Sequence, residues 1–321
     1  MNILLFGKDG QLGQEFLKEL TVWVGASNTN NLIAVGRAEC DLSEGDSIRA
    51  LIQKTKPKLI INTAAYTAVD LAETHQELAR LINSVAPGVM AEEAKWCNAA
   101  IVHYSTDYVF DGVKEGSYLE TDDCNPQSVY GTTKLMGEQR VRENCPEHLI
   151  LRTSWVFSAS GSNFLKTILQ LAKTKKELRI INDQCGAPTN TSLIVQTTLK
   201  ILRENGILHD LAQNELNSGA RTFNSKPNWG TFNLVASGKT SWHGYAQYLI
   251  QKAIELGMGA DFLLGSEHIL PIPSSQYVQA AKRPLNSLLN TNKLSTTFGV
   301  TLENWQTLVD SELYKIQAIN K

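Results

Sequence analysis

Short apolar runs alternate with longer amphipathic stretches through the first half of the chain. Residues 2–6, 32–35, 59–62, 100–105 and 149–152 are compact apolar runs of strand length. Between them apolar residues fall at helical spacing, as at Leu12, Phe16, Leu17 and Leu20. Strands separated by helices predict βαβ units and a parallel sheet covered on both faces. A further run, 231–236, can return to that sheet from late in the chain. After Arg152 the pattern changes. Residues 163–173, 192–203 and 241–255 read as helices between loops rich in Gly, Pro, Ser and Asn. Residues 205–230 are polar and aperiodic and read as a surface loop, with a short helix near 208–212. The tail from about 271 is mixed and carries a last helix near 302–316.

A length of 321 residues is long for one core, so two domains are expected. The chain is 42% hydrophobic and 19% charged, with net charge −2. That balance gives no electrostatic case for nucleic acid or an anionic membrane as partner. No apolar run reaches the length of a bilayer span. The N-terminus lacks a basic n-region and a small-residue cleavage site, so a cytoplasmic protein is expected. The five cysteines are widely and irregularly spaced, without a C-x-x-C. Reduced thiols are the plain reading, and neither a disulfide frame nor a zinc site is expected. The six histidines form no ligand-spaced pair, and His103, inside an apolar run, reads as a satisfied core residue.

Two motifs carry chemistry. Gly7-Lys8-Asp9-Gly10-Gln11-Leu12-Gly13 follows the first predicted strand and opens a helix. That is the context of a dinucleotide fingerprint: glycines let the backbone approach a pyrophosphate, and the helix N-terminus offers free N–H groups. The second is Tyr130 and Lys134, spaced to share one helix face. An ammonium beside the phenol would lower the tyrosine pKa and make a general acid/base for a carbonyl or alcohol oxygen.

Secondary features refine this. Ile33-Ala34-Val35-Gly36-Arg37 ends the second strand without the acid that accepts from a ribose 2′-hydroxyl, and Arg37 suits a 2′-phosphate. This favours NADPH, with NADH admitted as a second donor. Asp41-Leu42 follow, Asp41 either facing the adenine or capping the next helix. Ala64, Ala65, Tyr66 and Thr67 follow the third strand, where small residues leave room for a cofactor. Thr106 and Asp107 end the fourth, where a hydroxyl can donate to a substrate oxygen and a carboxylate can hold a sugar hydroxyl; capping of the next turn is the alternative.

Taken in order, these strings resemble the extended short-chain dehydrogenases/reductases, specifically the dTDP-4-dehydrorhamnose reductase family. Further matches are Ser105-Thr106-Asp107-Tyr108-Val109-Phe110-Asp111-Gly112, Arg152-Thr153-Ser154-Trp155, Asn163-Phe164, Asp183-Gln184 and Arg283-Pro284. The resemblance implies an α/β fold: a Rossmann-type doubly wound parallel sheet over 1–153, rejoined by 231–236, and a smaller, mostly helical substrate-binding domain over 154–321. It implies Thr106, Tyr130 and Lys134 as catalytic residues. Gly10, Gln11, Leu12, Ala65, Tyr66, Thr67, Tyr130 and Lys134 would line the cofactor. Thr106, Asp107, Trp155 and Asn163 would contact a dTDP-sugar. The implied reaction is reduction of the C4 ketone of dTDP-4-dehydro-L-rhamnose, for cell-surface polysaccharide such as O-antigen.

Some family members are dimers joined by magnesium on three glutamates. Here Glu15 fits one position, but Ser192 and Asn292 stand at the others, so no metal is expected; a homodimer stays open. Two rivals are weighed. A sugar-nucleotide dehydratase or epimerase is disfavoured because Asp107-Tyr108 replaces the dehydratase Asp-Glu. A non-catalytic dinucleotide-binding subunit, like the beta subunit of methionine adenosyltransferase, would have no need for the matched Thr106, Tyr130 and Lys134.

Overall fold

The computed structural model describes residues 1–25, 31–208 and 227–319. The first half runs β1 (Asn2–Phe6), α1 (Gln11–Gly25), β2 (Asn31–Val35), α2 (Gly45–Thr55), β3 (Leu59–Asn62), α3 (Val69–Ala72), α4 (Gln76–Arg80), α5 (Ala86–Cys97), β4 (Ala100–Thr106), α6 (Val129–Asn144) and β5 (His148–Thr153). It continues through β6 (Val156–Phe157), α7 (Phe164–Ala172), β7 (Leu178–Ile181), β8 (Cys185–Gly186), β9 (Thr189–Asn190) and α8 (Thr191–Glu204). Then come β10 (Gly230–Asn233), β11 (Thr240–Ser241), α9 (Trp242–Glu255), β12 (Ile269–Ile272), α10 (Asn292–Phe298) and α11 (Trp305–Ile319).

Among the described residues, six strands form one parallel sheet in the order β10-β5-β4-β3-β1-β2. Its strands are continuously apolar because both faces are buried. Successive side chains point to opposite faces. Ile3 and Leu5 therefore join Phe16 and Leu20 of α1 and Ile194 of α8 in one core. Leu4 and Phe6 join Ile48 and Ile52 of α2, Met90 of α5 and Val141 of α6 in another. A third core gathers α7, α9 and α11 around Tyr245, Leu249, Trp305 and Leu313.

The expected run 231–236 is strand only over Gly230–Asn233, paired with β5. Beyond Asn233 the chain leaves the sheet, and Ser237 pairs with Glu303 instead. The small pairs β6–β9, β7–β12 and β8–β11 have no clear periodicity in the sequence, being two to four residues long. The expected helix near 208–212 and most of the 205–230 segment lie outside the described residues. At its edges Asn205 and Asn228 exchange two hydrogen bonds of 3.0 Å. Among the described residues no helix is long and apolar enough to cross a membrane.

Candidate active site

The glycine loop is built by close packing around one open position. Gly7 has φ +87°, and a Cβ there would lie 2.7 Å from the Ala64 nitrogen. A Cβ on Gly13 would lie 1.9 Å from the Gly7 carbonyl oxygen, so α1 can approach β1 only with glycine at that turn. Gly10 differs: a Cβ would meet only the Gly7 oxygen, at 3.5 Å. The space beside Gly10 is open, and the first turn of α1 begins at the next residue. Free N–H groups beside an open backbone fit a dinucleotide pyrophosphate.

Gln11 anchors a second segment to this loop. Its Oε1 accepts from Ser158 Oγ at 2.9 Å and Asn163 Nδ2 at 2.7 Å. Asn163 also caps α7 through a bond from the Lys166 N–H. Asn163 thus stands against the nucleotide loop. Leu12 turns into the core beside the sheet.

At the end of β2, Arg37 is 81% exposed and its Nε lies 3.7 Å from Asp41 Oδ2. Asp41 accepts from the Ser43 N–H and hydroxyl at 2.9 and 2.8 Å, which makes it a turn former. Leu42 packs on the core under β2. Sequence reading missed Lys8 and Glu39, which pair at 2.5 Å while Glu39 also accepts from Gly36 N–H at 2.8 Å. Lys8 and Arg37 thus each stand beside a carboxylate, Glu39 and Asp41, near the end of β2. The available signal was a lysine inside the glycine loop.

Beyond β3, Asn83 was also missed. It sits in a π-helical turn, Leu81–Val85, of a kind frequent at functional sites. Its side chain accepts from Tyr66 N–H at 2.8 Å and donates to the Tyr66 carbonyl and to Thr133 of α6, each at 3.2 Å. That pins Ala64, Ala65 and Tyr66 against α6, with Thr67 exposed next to them. The buried Asn62 orders the same strand end, accepting from Ala64 N–H and contacting His103 Nδ1 at 3.1 Å. His103 is only half-satisfied: its Nε2 has no partner among the described residues. Burial and the Lys134 charge hold its pKa well below the ordinary value.

The chemistry converges where β4 ends and α6 begins. Ser128 caps α6, accepting from Gly131 N–H at 3.2 Å. A Cβ on Gly131 would lie 2.2 Å from the Tyr108 carbonyl oxygen, so glycine lets the helix start press against the loop after Thr106. Tyr130 thereby stands edge-on to Tyr108, ring centroids 5.4 Å apart. Thr106 donates to Asp107 Oδ1 at 3.0 Å and accepts from Tyr108 N–H, so it both caps the turn and faces the site. Lys134 is 2% exposed and donates to the Tyr104 carbonyl at 2.5 Å. Burial pushes the lysine down to about 8, against the pull of Glu138.

One expectation is corrected here. The Tyr130 pKa is raised, not lowered: burial is the main cause and the Asp107 carboxylate adds to it, while the Thr106 hydroxyl opposes both. The lysine ammonium is spent on a backbone carbonyl rather than on the phenol. Asp107 is itself pushed up to about 6 by burial, opposed by Ser287 and Thr106. Its Oδ2 is buried without a partner among the described residues.

Arg283 closes this end of the sheet, donating to Asp70 at 2.7 Å and to the Tyr108 hydroxyl at 3.1 Å. Sequence reading quoted Arg283 without a role. Trp155 has φ +49° and stacks on Trp242 at 3.6 Å, beside Gly186, where a Cβ would strike its ring. Glu15, Ser192 and Asn292 lie on α1, α8 and α10, and among the described residues no group of three His, Cys, Asp or Glu side chains gathers to hold a metal.

A nucleotide loop on β1 and a Tyr-Lys pair on the helix after β4 define an oxidoreductase of the extended short-chain dehydrogenase/reductase type. The family model described as RmlD substrate binding domain matches residues 1–317. The dTDP-4-dehydrorhamnose reductase of Salmonella typhimurium is 40% identical over 310 residues, 95% of each chain. Among solved structures, the dTDP-4-dehydrorhamnose reductase of Clostridium acetobutylicum has a TM-score of 0.84 at 32% identity, covering 99% of this chain and 100% of that one. The Bacillus anthracis enzyme, in complex with NADP, has a TM-score of 0.83 at 26% identity, covering 98% and 99%. The chain belongs to the RmlD family of dTDP-4-dehydrorhamnose reductases.

Proposed function

We propose that the chain reduces the C4 ketone of dTDP-4-dehydro-L-rhamnose to give dTDP-L-rhamnose for cell-surface polysaccharide. NADPH, when bound, supplies the hydride. Tyr130 gives its proton to the oxygen at C4, which gains charge as hydride arrives. A high phenol pKa leaves Tyr130 protonated and ready to donate at neutral pH. Lys134 and Thr106 hydrogen-bond around the reacting oxygen and the cofactor ribose, and Asp107 and Trp155 hold the sugar nucleotide. The Gly10 loop, Gln11, Ala65 and Tyr66 cradle the dinucleotide, with Lys8 and Arg37 at its 2′-phosphate. Asn163 acts through Gln11. Residues 1–153 with β10 form the cofactor-binding part and most of 154–319 the sugar-binding part, working in the cytoplasm where nucleotide sugars are made; a homodimer is compatible with this reading.

The observation that carries the reading is the meeting of Thr106, Tyr130 and Lys134 at the carboxyl edge of the sheet, where ligands bind in such folds. The test is NADPH oxidation by the purified protein with and without dTDP-4-dehydrorhamnose, with the product identified. Cofactor binding without substrate-dependent oxidation would favour the regulatory-subunit reading instead.

A further inference from the structure

The end of β2 lacks the acid that in dinucleotide-binding folds accepts from the ribose 2′-hydroxyl, and Gly36 stands in its place. Gly36 is not among the glycines with positive φ, so its backbone conformation does not call for glycine. Its side-chain space is taken instead. A Cβ on Gly36 would lie 2.9 Å from Asp9 Cγ and 3.3 Å from Glu39 Oε2, and closer still to Asp9 Oδ2. The Asp9 carboxylate thus fills the place that a side chain at the strand end would enter. The backbone carries it there. Gly7 N–H and Lys8 N–H both donate to the Val35 carbonyl, at 2.9 and 3.2 Å, which staples the glycine loop to the last residue of β2. Asp9, the next residue of the loop, then comes to lie over Gly36, the next residue after the strand.

The other carboxylates near this strand end are committed. Glu39 accepts from Lys8 Nζ and from Gly36 N–H. Asp41 accepts from the N–H and the hydroxyl of Ser43. Lys8 is offset by Glu39, while Arg37 is 81% exposed and stands 3.7 Å from Asp41. That leaves Asp9 as the acceptor and Arg37 as the cation best placed to meet an adenosine ribose at this edge.

We infer that Asp9 sets the choice of nicotinamide donor: its carboxylate, reaching across from the glycine loop to Gly36, accepts from the ribose 2′-hydroxyl in place of the missing strand-end acid, and so admits NADH beside NADPH. This rests on the proposed seat of the dinucleotide on the Gly10 loop. A carboxylate favours a hydroxyl, which can donate to it, and repels a 2′-phosphate, which carries like charge. Arg37 acts in the opposite sense. Removing the Asp9 carboxylate therefore shifts the balance toward NADPH.

The test compares NADH and NADPH, by Kd from fluorescence titration and by kcat/KM, in the wild type, in Asp9→Ala and in the double variant Asp9→Ala with Gly36→Asp. Asp9→Ala should weaken NADH roughly 10-fold in both measures, the low end for a hydrogen bond to a charged group. It should strengthen NADPH by roughly 3-fold as the repulsion is relieved. Asp9 is exposed, and alanine keeps the backbone carbonyl that accepts from Gln14 Nε2 at 3.3 Å, so the variant should fold. The double variant returns an acid to the strand end, in the space that Asp9 vacates, and should recover most of the NADH affinity. A role in loop stability alone would move both cofactors by the same factor. That result, or no change with NADH, overturns the inference. Loss of NADH in Asp9→Ala without recovery in the double variant overturns the placing of the carboxylate at the 2′-hydroxyl. A wild type that binds NADPH but not NADH overturns the role of Asp9 alone. A wild type that binds neither overturns it together with the proposed seat of the dinucleotide.

Discussion

Arg283 donates to the Asp70 carboxylate at 2.7 Å across 213 residues of chain. The same guanidinium holds the Tyr108 hydroxyl, and Tyr108 lies edge-on to Tyr130. The Asp70 carboxylate also accepts from Ala281 N–H at 3.0 Å, so it fixes both the arginine and the segment that carries it. This arrangement sets the wall of the candidate site next to the Tyr130 phenol. Both partners of the pair keep some exposure, 22% and 43%, so the pair should add little to global stability.

Asp70→Asn should therefore act on substrate handling. The KM for the sugar nucleotide should rise roughly 5-fold, about 1 kcal/mol of lost hydrogen bonding, with Tm nearly unchanged. Steady-state kinetics and a thermal melt decide it. An unchanged KM would mean that the Arg283 segment does not shape the sugar site.

Tyr130→Phe removes the hydroxyl proposed as proton donor and leaves the ring edge against Tyr108. General acid catalysis is typically worth ~10²–10⁴ in rate, so kcat should fall by about that factor. NADPH affinity, measured by fluorescence titration, should stay close to the wild type. A variant with near-normal kcat would remove Tyr130 from the mechanism.

How much of this site could be read from the sequence depends on the range of each interaction. Gly7, Gly10 and Gly13, and the pair Tyr130 and Lys134, are local patterns, and periodicity alone placed the strands of the sheet to within about two residues except at β10. The end of β10 was missed because Leu234, Val235 and Ala236 are as apolar as strand residues but are buried outside the sheet. Asn83, Lys8, Glu39 and Arg283 act through partners 17 to 213 residues away, and although Lys8 stands in the glycine loop and Arg283 before a proline, nothing in their own neighbourhood names those partners. The direction of the Tyr130 shift was misread for the same reason. Spacing put Lys134 on its face, but only the fold reveals that the ammonium is turned to the Tyr104 carbonyl.

Asp107 gives a pH prediction with a definite sign. An unfolded aspartate titrates near 3.9, and burial moves the folded group up to about 6. Between those values the native state holds more protons than the unfolded chain, so stability falls as pH rises through about 6. The penalty is absent below the unfolded value and complete above the folded one, at roughly 2–3 kcal/mol. Asp107→Asn should raise Tm at pH 8 and leave it nearly unchanged at pH 3.5, while weakening the hold on the sugar nucleotide. A Tm that drops at pH 8 would show that the carboxylate is stabilising where it stands.

Trp155 carries the last prediction. Its ring stacks on Trp242 with centroids 3.6 Å apart and planes 13° from parallel, and it keeps part of its surface exposed. Its backbone is in the left-handed region, costly for a bulky residue unless packing fixes it. Such a ring can do two things at once: hold the start of the second half of the chain between α9 and Gly186, and present the part of it left exposed to a sugar or its methyl group. Trp155→Ala should then lower Tm by a few degrees, since a stacked pair is worth about 0.5–1.5 kcal/mol beyond burial. It should also raise the KM for the sugar nucleotide several-fold, with NADPH affinity unchanged. Trp155→Phe keeps a stacking face and should recover most of the Tm but only part of the KM. A KM at the wild-type value in Trp155→Ala, with the fall in Tm alone, would make Trp155 a packing residue and leave the sugar to Asp107 and Thr106.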